Sequence, residues 1–308
     1  MPNYSGVWSL PTQMQAEAQG NWPSQPIPIG IYAGGLAGYS ADIQSIIISS
    51  LGNSTDFGDL FLGVSNQPAA ASSTTRYIYA GGFDGSANTT TIQYGDYNGG
   101  TAADFGDLTV ARNSVAGLSN SIRAVFGGGS ADVIDYVTIS TLGNASDFGD
   151  LTANTSSVRG VASSTRGVFM GSSGSNIISY ITIASAGDAT DFGDMLQGVA
   201  ISQGGACSNS TRGIYAGGFT GGASTNVMQY ITIASTGNAT DFGDLSLTDR
   251  YNDGVSSPTR AVFLGFKGTH PSEYVTIATT GNAVEFGDLT GNRVQVGSGT
   301  SNAHGGLS

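Results

Sequence analysis

Short apolar segments alternate with polar turns along the whole chain. The segment "YITIAS" alternates apolar with Thr or Ser residues, which is typical of a β-strand with one buried face. It lies between an apolar segment that ends in Gly-Gly, such as "RGIYAGG", and the segment "ATDFGDL". Gly-Gly and Gly-Asn suit turns with positive φ. The pattern therefore predicts short strands that are joined by tight hairpins.

This pattern is repeated six times. Each unit predicts four strands: a small-residue segment such as "NSVAGLSNS", an apolar strand before Gly-Gly, the alternating strand, and the strand "DFGD" or "EFGD". Four strands in about 45 residues are typical of one propeller blade. We therefore expect an all-β, six-bladed β-propeller with four strands per blade. The repeated phenylalanines are 48, 43, 44, 50 and 44 residues apart, at Phe57, Phe105, Phe148, Phe192, Phe242 and Phe286.

The two ends of the repeat array indicate how the ring closes. The first unit begins at its second strand, within residues 27–33, and the tail after Leu289 resembles a first strand with nothing after it. We expect the C-terminal strand to pair with the N-terminal strand, since this hides two sheet edges. The predicted domains are an N-terminal arm (1–26) and the propeller (27–308). Trp8, Leu10 and Trp22 are candidate anchors of the arm to a neighbouring subunit, and capping of a propeller face is the alternative.

Composition argues against several classes of function. The chain has 308 residues, a net charge of −12 and only 10 Lys+Arg against 22 Asp+Glu. Such a surface suits neither nucleic acid nor an anionic membrane. The opening "MPNYSGVWSL" lacks the features of a secretory signal, and no apolar run approaches the roughly 20 residues of a membrane helix. Cys207 is the single cysteine, so no intrachain disulfide is expected.

Asp-Phe-Gly is also the tripeptide with which protein kinases hold magnesium. A kinase uses one such aspartate opposite a lysine and an Asn-containing catalytic loop. This chain instead has five copies, a sixth with Glu285 in place of the aspartate, and a single lysine, Lys267. The repeat favours a structural role: the phenylalanine packs between blades, the glycine bends the chain and the acids bond turn amides. Weak calcium binding by the paired carboxylates remains open.

Arginine occupies one position in five units, and Ile29 replaces it in the first. A shared position favours a structural ion pair or carbonyl contact around the ring. The alternative is a grip on a ligand carboxylate, as in sialidase propellers, although the sialidase Asp-box is absent. The five arginines are Arg76, Arg123, Arg166, Arg212 and Arg260.

We expect no catalytic residue, metal or cofactor. Two histidines, His270 and His304, are too few for a copper centre, and Cys207 is interpreted as a free thiol in a loop insertion. The candidate recognition residues are Tyr94, Tyr97 and Asn98, in an irregular segment that lengthens the second unit. Sequence drift in a solvent loop explains that segment equally well.

The units resemble two kinds of known protein. The strand ending in Gly-Gly, followed by Tyr230, Phe242 and Arg250, resembles the kelch repeat, although kelch usually has Trp where Phe stands here. Arrays such as "YITIAS" with "GNATDFGDL", and the leader at residues 6–23, resemble virion structural proteins of tailed phages, especially marine ones.

The second resemblance implies a non-enzymatic virion protein, associated with the tail or a fibre, that presents the propeller for host attachment. It implies location on the particle surface in multiple copies, with other virion proteins and a host surface glycan or protein as partners. The alternatives are a capsid decoration (cement) protein and an extracellular glycan-binding or glycan-active propeller.

Overall fold

The computed structural model describes residues 27–35, 40–172, 175–196, 203–250, 252–265, 271–290 and 297–307. Within them the chain is all-β, and six antiparallel sheets are arranged as the blades of a six-bladed propeller. The predicted arm, with Trp8, Leu10 and Trp22, lies outside the described residues, as does His270. Among the described residues, no helix has the length and apolar character needed to cross a membrane.

The first three blades follow one another along the chain. Blade 1 contains β1 (Ile29–Ala33), β2 (Ser40–Ile47) and β3 (Thr55–Val64). Blade 2 contains β4 (Ala69–Ser72), β5 (Arg76–Ala80), β6 (Thr91–Asp96) and β8 (Ala103–Asp107). Before β8, the two-residue strand β7 (Gly100–Thr101) pairs with β3 of blade 1. Blade 3 contains β9 (Val115–Ser119), β10 (Arg123–Gly128), β11 (Ala131–Thr138) and β12 (Ser146–Thr155).

The other three blades repeat this order. Blade 4 contains β13 (Arg159–Ala162), β14 (Arg166–Met170), β15 (Ile177–Thr182) and β16 (Thr190–Asp194). Blade 5 contains β17 (Gly205–Ser208), β18 (Arg212–Ala216), the short β19 (Phe219–Thr220), β20 (Ala223–Thr232) and β21 (Thr240–Asp249). Blade 6 contains β22 (Asp253–Ser256), β23 (Arg260–Leu264), β24 (Ser272–Thr276) and β25 (Val284–Gly287).

The C-terminal strand closes the ring, which confirms the predicted closure. β26 (Ser298–Ser301) pairs antiparallel with β1 and forms the innermost strand of blade 1. The next residue, Asn302, reinforces the junction, because its Oδ1 accepts from the amide of Ile29 at 2.8 Å. Its Nδ2 donates to the carbonyl oxygen of Ile27 at 3.1 Å. A short 3₁₀ helix, η1 (Gly305–Leu307), follows.

The size of the side chains in each blade depends on the distance of the strand from the propeller axis. The inner strands are built largely from small residues, such as "AAAS" in β4 and "GACS" in β17, because six strands converge there. The second strands are apolar and buried. The third and fourth strands bury alternate residues against the next blade, so Ile92 and Phe105 of blade 2 belong to one cluster with Phe126 and Val137 of blade 3.

The propeller has two ends with different connections. We call the lower end the one at which each first strand turns into the second and each third strand into the fourth. The upper end carries the connections between second and third strands and those that lead from one blade to the next. The six inner strands surround a narrow axial channel that runs between these ends.

Candidate functional site

The repeated arginines connect neighbouring blades at the lower end. In blade 4, the Cζ atom of Arg166 lies 4.4 Å from the ring centroid of Tyr180. Its Nη1 donates to the carbonyl oxygen of Ile233 in blade 5 at 2.9 Å. The cation–π contact and the charged hydrogen bond both stabilise the junction. The same two contacts are made by Arg76 (Tyr94, Ile139), Arg123 (Tyr136, Ile183), Arg212 (Tyr230, Ile277) and Arg260 (Tyr274, Ile48).

The repeated phenylalanines complete these clusters. In blade 4 the ring of Phe192 meets that of Tyr180 edge to face, with a centroid distance of 6.0 Å. Blade 1 departs from the pattern because Ser45 stands in place of the tyrosine, and Phe57 there lies edge-on to Tyr77 of blade 2 instead. The other pairs that repeat the arrangement are Tyr94–Phe105, Tyr136–Phe148, Tyr230–Phe242 and Tyr274–Phe286.

A backbone clasp between blades explains why glycine follows the phenylalanine. In blade 3, Gly149 has φ of 140°, and a Cβ there would lie 2.5 Å from the carbonyl carbon of Gly187 in blade 4. The amide of Gly187 donates to the carbonyl oxygen of Phe148 at 2.6 Å, and the amide of Ala189 donates to that of Asp150 at 2.7 Å. Only a residue without a side chain permits two backbones to approach so closely.

The turn that receives this clasp contributes a side chain as well. In blade 5, Asn238 Oδ1 accepts from the backbone amide of Asp194 in blade 4 at 3.0 Å. This reverses the expected bonding, since the aspartate supplies its backbone amide and the side-chain acceptor comes from the next blade. Equivalent bonds join Asp107 to Asn144, Asp150 to Asp188, Asp244 to Asn282 and Asp288 to Asn53.

A polar side chain in the third strand supplies another bond between blades that sequence reasoning missed. Gln93 of β6 accepts from the amide of Leu62 at 2.6 Å and donates to its carbonyl oxygen at 3.0 Å. Gln93 is buried between apolar neighbours. The signal was present, because a polar residue stands directly before the tyrosine in each of the five units that have one. Related bonds are made by Gln44, Asp135, Gln229 and Glu273.

Serine hydroxyls link the inner strands around the axis. Ser119 Oγ donates to the carbonyl oxygen of Ser72 in the preceding blade at 2.7 Å, and accepts from its amide at 3.0 Å. Ala162 interrupts the series in blade 4 because it has no hydroxyl. These bonds hold the inner strands at fixed spacing. The remaining donors and acceptors are Ser72 to Ser301, Ser208 to Ala162, Ser256 to Ser208 and Ser301 to Ser256.

The C-terminal tail lies against the lower mouth of the axial channel. His304 Nε2 is 3.2 Å from the carbonyl oxygen of Ser72 and 3.2 Å from Ser119 Oγ. The amide of Gly306 donates to His304 Nδ1 at 3.1 Å, so the ring proton belongs on Nε2. Burial lowers the pKa of His304 to about 4, opposed by the bond to Ser72. A Cβ on Gly306 would strike the carbonyl oxygen of Ser119. The remaining cavity is about 50 Å³.

The upper part of the channel carries two buried charges. Arg159 and Asp253 begin the inner strands of blades 4 and 6 and are 4% and 6% exposed. Arg159 Nε donates to the carbonyl oxygen of Gly204 at 2.6 Å. Burial raises the pKa of Asp253, opposed by Arg159 and by two backbone amides. The cavity beside them is about 30 Å³, which is room for water and not for a substrate.

A buried ion pair ties the connection between blades 2 and 3 to blade 3. Arg112 Nη2 lies 2.6 Å from Asp135 Oδ2, with both side chains at most 2% exposed. Arg112 also donates to the carbonyl oxygens of Gly128 and Val133, and Asp135 accepts from the hydroxyl of Thr109 at 2.6 Å. Burial lowers the pKa of Arg112, and Asp135 opposes that shift. Nearly all the hydrogen-bonding groups of Arg112 and Asp135 have partners within the fold, so the pair stabilises this part of the propeller.

Cys207 does not lie in a loop insertion, which corrects the interpretation from sequence. It belongs to β17, the inner strand of blade 5, and is 6% exposed. Burial raises the pKa of its thiol, and the nearby Asp253 raises it further. Such a thiol is a poor nucleophile at neutral pH. Across the described ranges, no group of three or more His, Cys, Asp or Glu side chains is placed to hold a metal ion.

Two of the three candidate recognition residues of blade 2 have packing roles. Tyr94 lies under Arg76, and Tyr97 meets Tyr77 edge to face at 6.0 Å. The Tyr97 hydroxyl is buried near the inner strands, and burial raises its pKa. Asn98 is exposed, and its amide donates to the carboxylate of Asp96 at 2.9 Å. Tyr94 and Tyr97 are each partly buried by these contacts. A role for Tyr94, Tyr97 and Asn98 in recognition therefore stays a prediction.

Neither a scan against protein-family models nor a search of curated proteins finds a match to this chain. The propeller fold is shown by the structure, whereas membership of the kelch family has no support beyond the resemblance of the motifs.

Proposed function

We propose that this protein is a non-enzymatic structural protein of a tailed phage, which is attached to the tail or a fibre and presents its propeller to the host surface. The resemblance of the "YITIAS" and "GNATDFGDL" arrays to virion structural proteins supports the class. A mechanical role is supported by recurring polar side chains that form hydrogen bonds from one blade to the next.

These hydrogen bonds recur at the junctions between blades. At the five junctions where the chain has the arginine, it donates to a carbonyl oxygen of the next blade. The clasp at the Asp-Phe-Gly motif acts at the outer edge of the same junctions. The serine bonds act at the inner edge of all of them except the junction between blades 3 and 4, where Ala162 has no hydroxyl. Hydrogen bonds at different distances from the propeller axis resist the sliding of one blade on another. A ring of this kind suits a particle component that must keep its shape while it bears load.

The axis also favours presentation over catalysis. In propeller enzymes, a site on the axis needs unlike polar groups that converge on a cavity large enough for substrate. Here Arg159 and Asp253 are unlike groups from equivalent positions, but the cavity beside them is about 30 Å³. His304 and Gly306 occupy the lower mouth. Recognition on the outer loops and hairpins is consequently the better proposal.

Immunogold labelling of intact particles with an antibody against the propeller tests this function. Label at the tail or its fibres supports the proposal. Label over the head replaces it with capsid decoration. No label on any particle overturns the virion assignment and favours a secreted glycan-binding or glycan-active propeller.

Deletion of residues 1–26 tests the anchoring part separately. We expect the shortened chain to keep the far-ultraviolet circular dichroism and the unfolding midpoint of the propeller, and to be absent from purified particles. Normal incorporation of the shortened chain into particles would contradict the anchor role of Trp8, Leu10 and Trp22.

A further inference from the structure

Two equivalent grooves open at the lower end, beside the hairpins between third and fourth strands. Their volumes are about 260 Å³ in blade 3 and about 220 Å³ in blade 5. Both are open to solvent, since most of the hairpin residues that line them are exposed. The shared lining consists of a tyrosine, hydroxyl side chains and an asparagine, namely Tyr136, Thr138, Thr141, Asn144 and Ser146 in blade 3 and Tyr230, Thr232, Ser235, Asn238 and Thr240 in blade 5.

Neighbouring residues hold these groups in place before any ligand arrives. Arg212 covers part of the Tyr230 ring, with its Cζ atom 4.2 Å from the centroid, and Phe242 fixes the ring from its edge. Asn238 Oδ1 accepts from the amide of Asp194, so the side-chain amide is oriented and its N–H groups remain as donors. Fixed groups lose little conformational entropy on binding, which favours a small polar ligand.

The full set of groups is restricted to blades 3 and 5. Aspartate replaces the asparagine in blade 4, at Asp188, and this removes the N–H donors. Valine replaces the third hydroxyl residue in blade 6, at Val284, and serine replaces the tyrosine in blade 1, at Ser45. Blade 2 has a different turn, with Asn98 and Gly100. The bonding between blades survives these changes, so it does not by itself require the full set.

We propose that the grooves of blades 3 and 5 each bind a neutral hexose residue of a polysaccharide. An aromatic ring packs against the C–H face of a sugar, while Thr, Ser and Asn side chains exchange hydrogen bonds with its hydroxyl groups. Exposed carboxylates flank both grooves, at Asp147 and Asp241, and the net charge is −12, so acidic sugars are repelled. Two grooves on one rigid ring add avidity to weak single sites. This inference rests on the proposed host attachment and names its ligand class.

Affinity electrophoresis in native gels that contain dextran, mannan or galactomannan tests the proposal, with alginate as the acidic polymer. The test variant is the double substitution Asn144→Asp and Asn238→Asp. It introduces the residue that blade 4 already has, and Asp188 shows that the bond between blades is kept. The matched control is Asn53→Asp with Asn282→Asp, which makes the same charge change at equivalent clasps outside the two grooves.

We expect at least one neutral polymer, but not alginate, to retard the unmodified chain and the control variant. The test variant should bind that polymer about tenfold more weakly, because each groove loses donors and gains a charge. Equal retardation of both variants, stronger retardation in alginate, or no retardation by any of the three neutral polymers overturns the inference.

The gel and the particle labelling have separate outcomes. Tail label without retardation overturns the sugar proposal alone. Retardation without label on any particle overturns the virion proposal alone and leaves a sugar-binding propeller.

Discussion

The clasp at the Asp-Phe-Gly motif makes a sharp prediction about Gly149→Ala. Two effects add at this position. The backbone has φ of 140°, a region that costs a residue with a side chain about 1–3 kcal/mol. The added Cβ would also lie 2.5 Å from the carbonyl carbon of Gly187, and forcing a methyl group into a packed contact costs about 1–3 kcal/mol. We therefore expect the free energy of unfolding to fall by about 2–6 kcal/mol.

Gly143→Ala is the matched control for this change. Gly143 has φ of 145°, but nothing lies within 4 Å of a Cβ built there. The control therefore carries the backbone strain alone, and its expected cost is about 1–3 kcal/mol. The difference between the two variants measures the close approach of blades 3 and 4.

Urea unfolding followed by circular dichroism provides the free energies, provided that the dependence on urea concentration has the same slope in all three proteins. The reasoning is refuted if Gly149→Ala is no more destabilising than Gly143→Ala, because the contact with Gly187 would then not be what requires glycine.

Three further predictions concern polar groups at the junctions. Arg166→Met should lower the free energy of unfolding by about 1.5–3 kcal/mol in urea titrations, because it removes a charged hydrogen bond and a cation–π contact; an unchanged midpoint would contradict this role. Asp135→Asn should cost about 3–5 kcal/mol by leaving Arg112 buried and unpaired, and adding Arg112→Leu should recover part of the loss; a fully additive double-mutant cycle would contradict the coupling. The folded-state pKa of His304, about 4, lies below its ordinary value, so its contribution is present above pH 6.5 and is lost as the pH falls towards 4. Relative to His304→Gln, the unmodified chain should lose about 1–2 kcal/mol between pH 7.5 and 4.5, and parallel pH profiles would refute this.

Sequence reasoning failed where periodicity is weak or partners are distant. The segment around Cys207 has small residues and no alternation, so it resembled a loop although it forms an inner strand. The Arg112–Asp135 pair is formed by a residue of the connection between blades 2 and 3 and a residue of blade 3, and no repeat marks them as partners. The tail after Leu289 was interpreted only as a first strand, and nothing in its pattern placed His304 against the channel.

The sequence by itself determined the number of blades, the four strands in each and the closure by the C-terminal strand. These features depend on local alternation, on Gly-Gly turns and on a repeat of about 45 residues. All three can be recognised directly in the sequence. It also marked the phenylalanines and arginines as repeated positions. Only the tertiary structure decided what those positions bind, because each partner belongs to the next blade: Arg166 meets Ile233, and Gly149 meets Gly187. It likewise decided that the axial channel is too narrow for a substrate and that open grooves lie at two lower hairpins, since both depend on how six sheets converge in space.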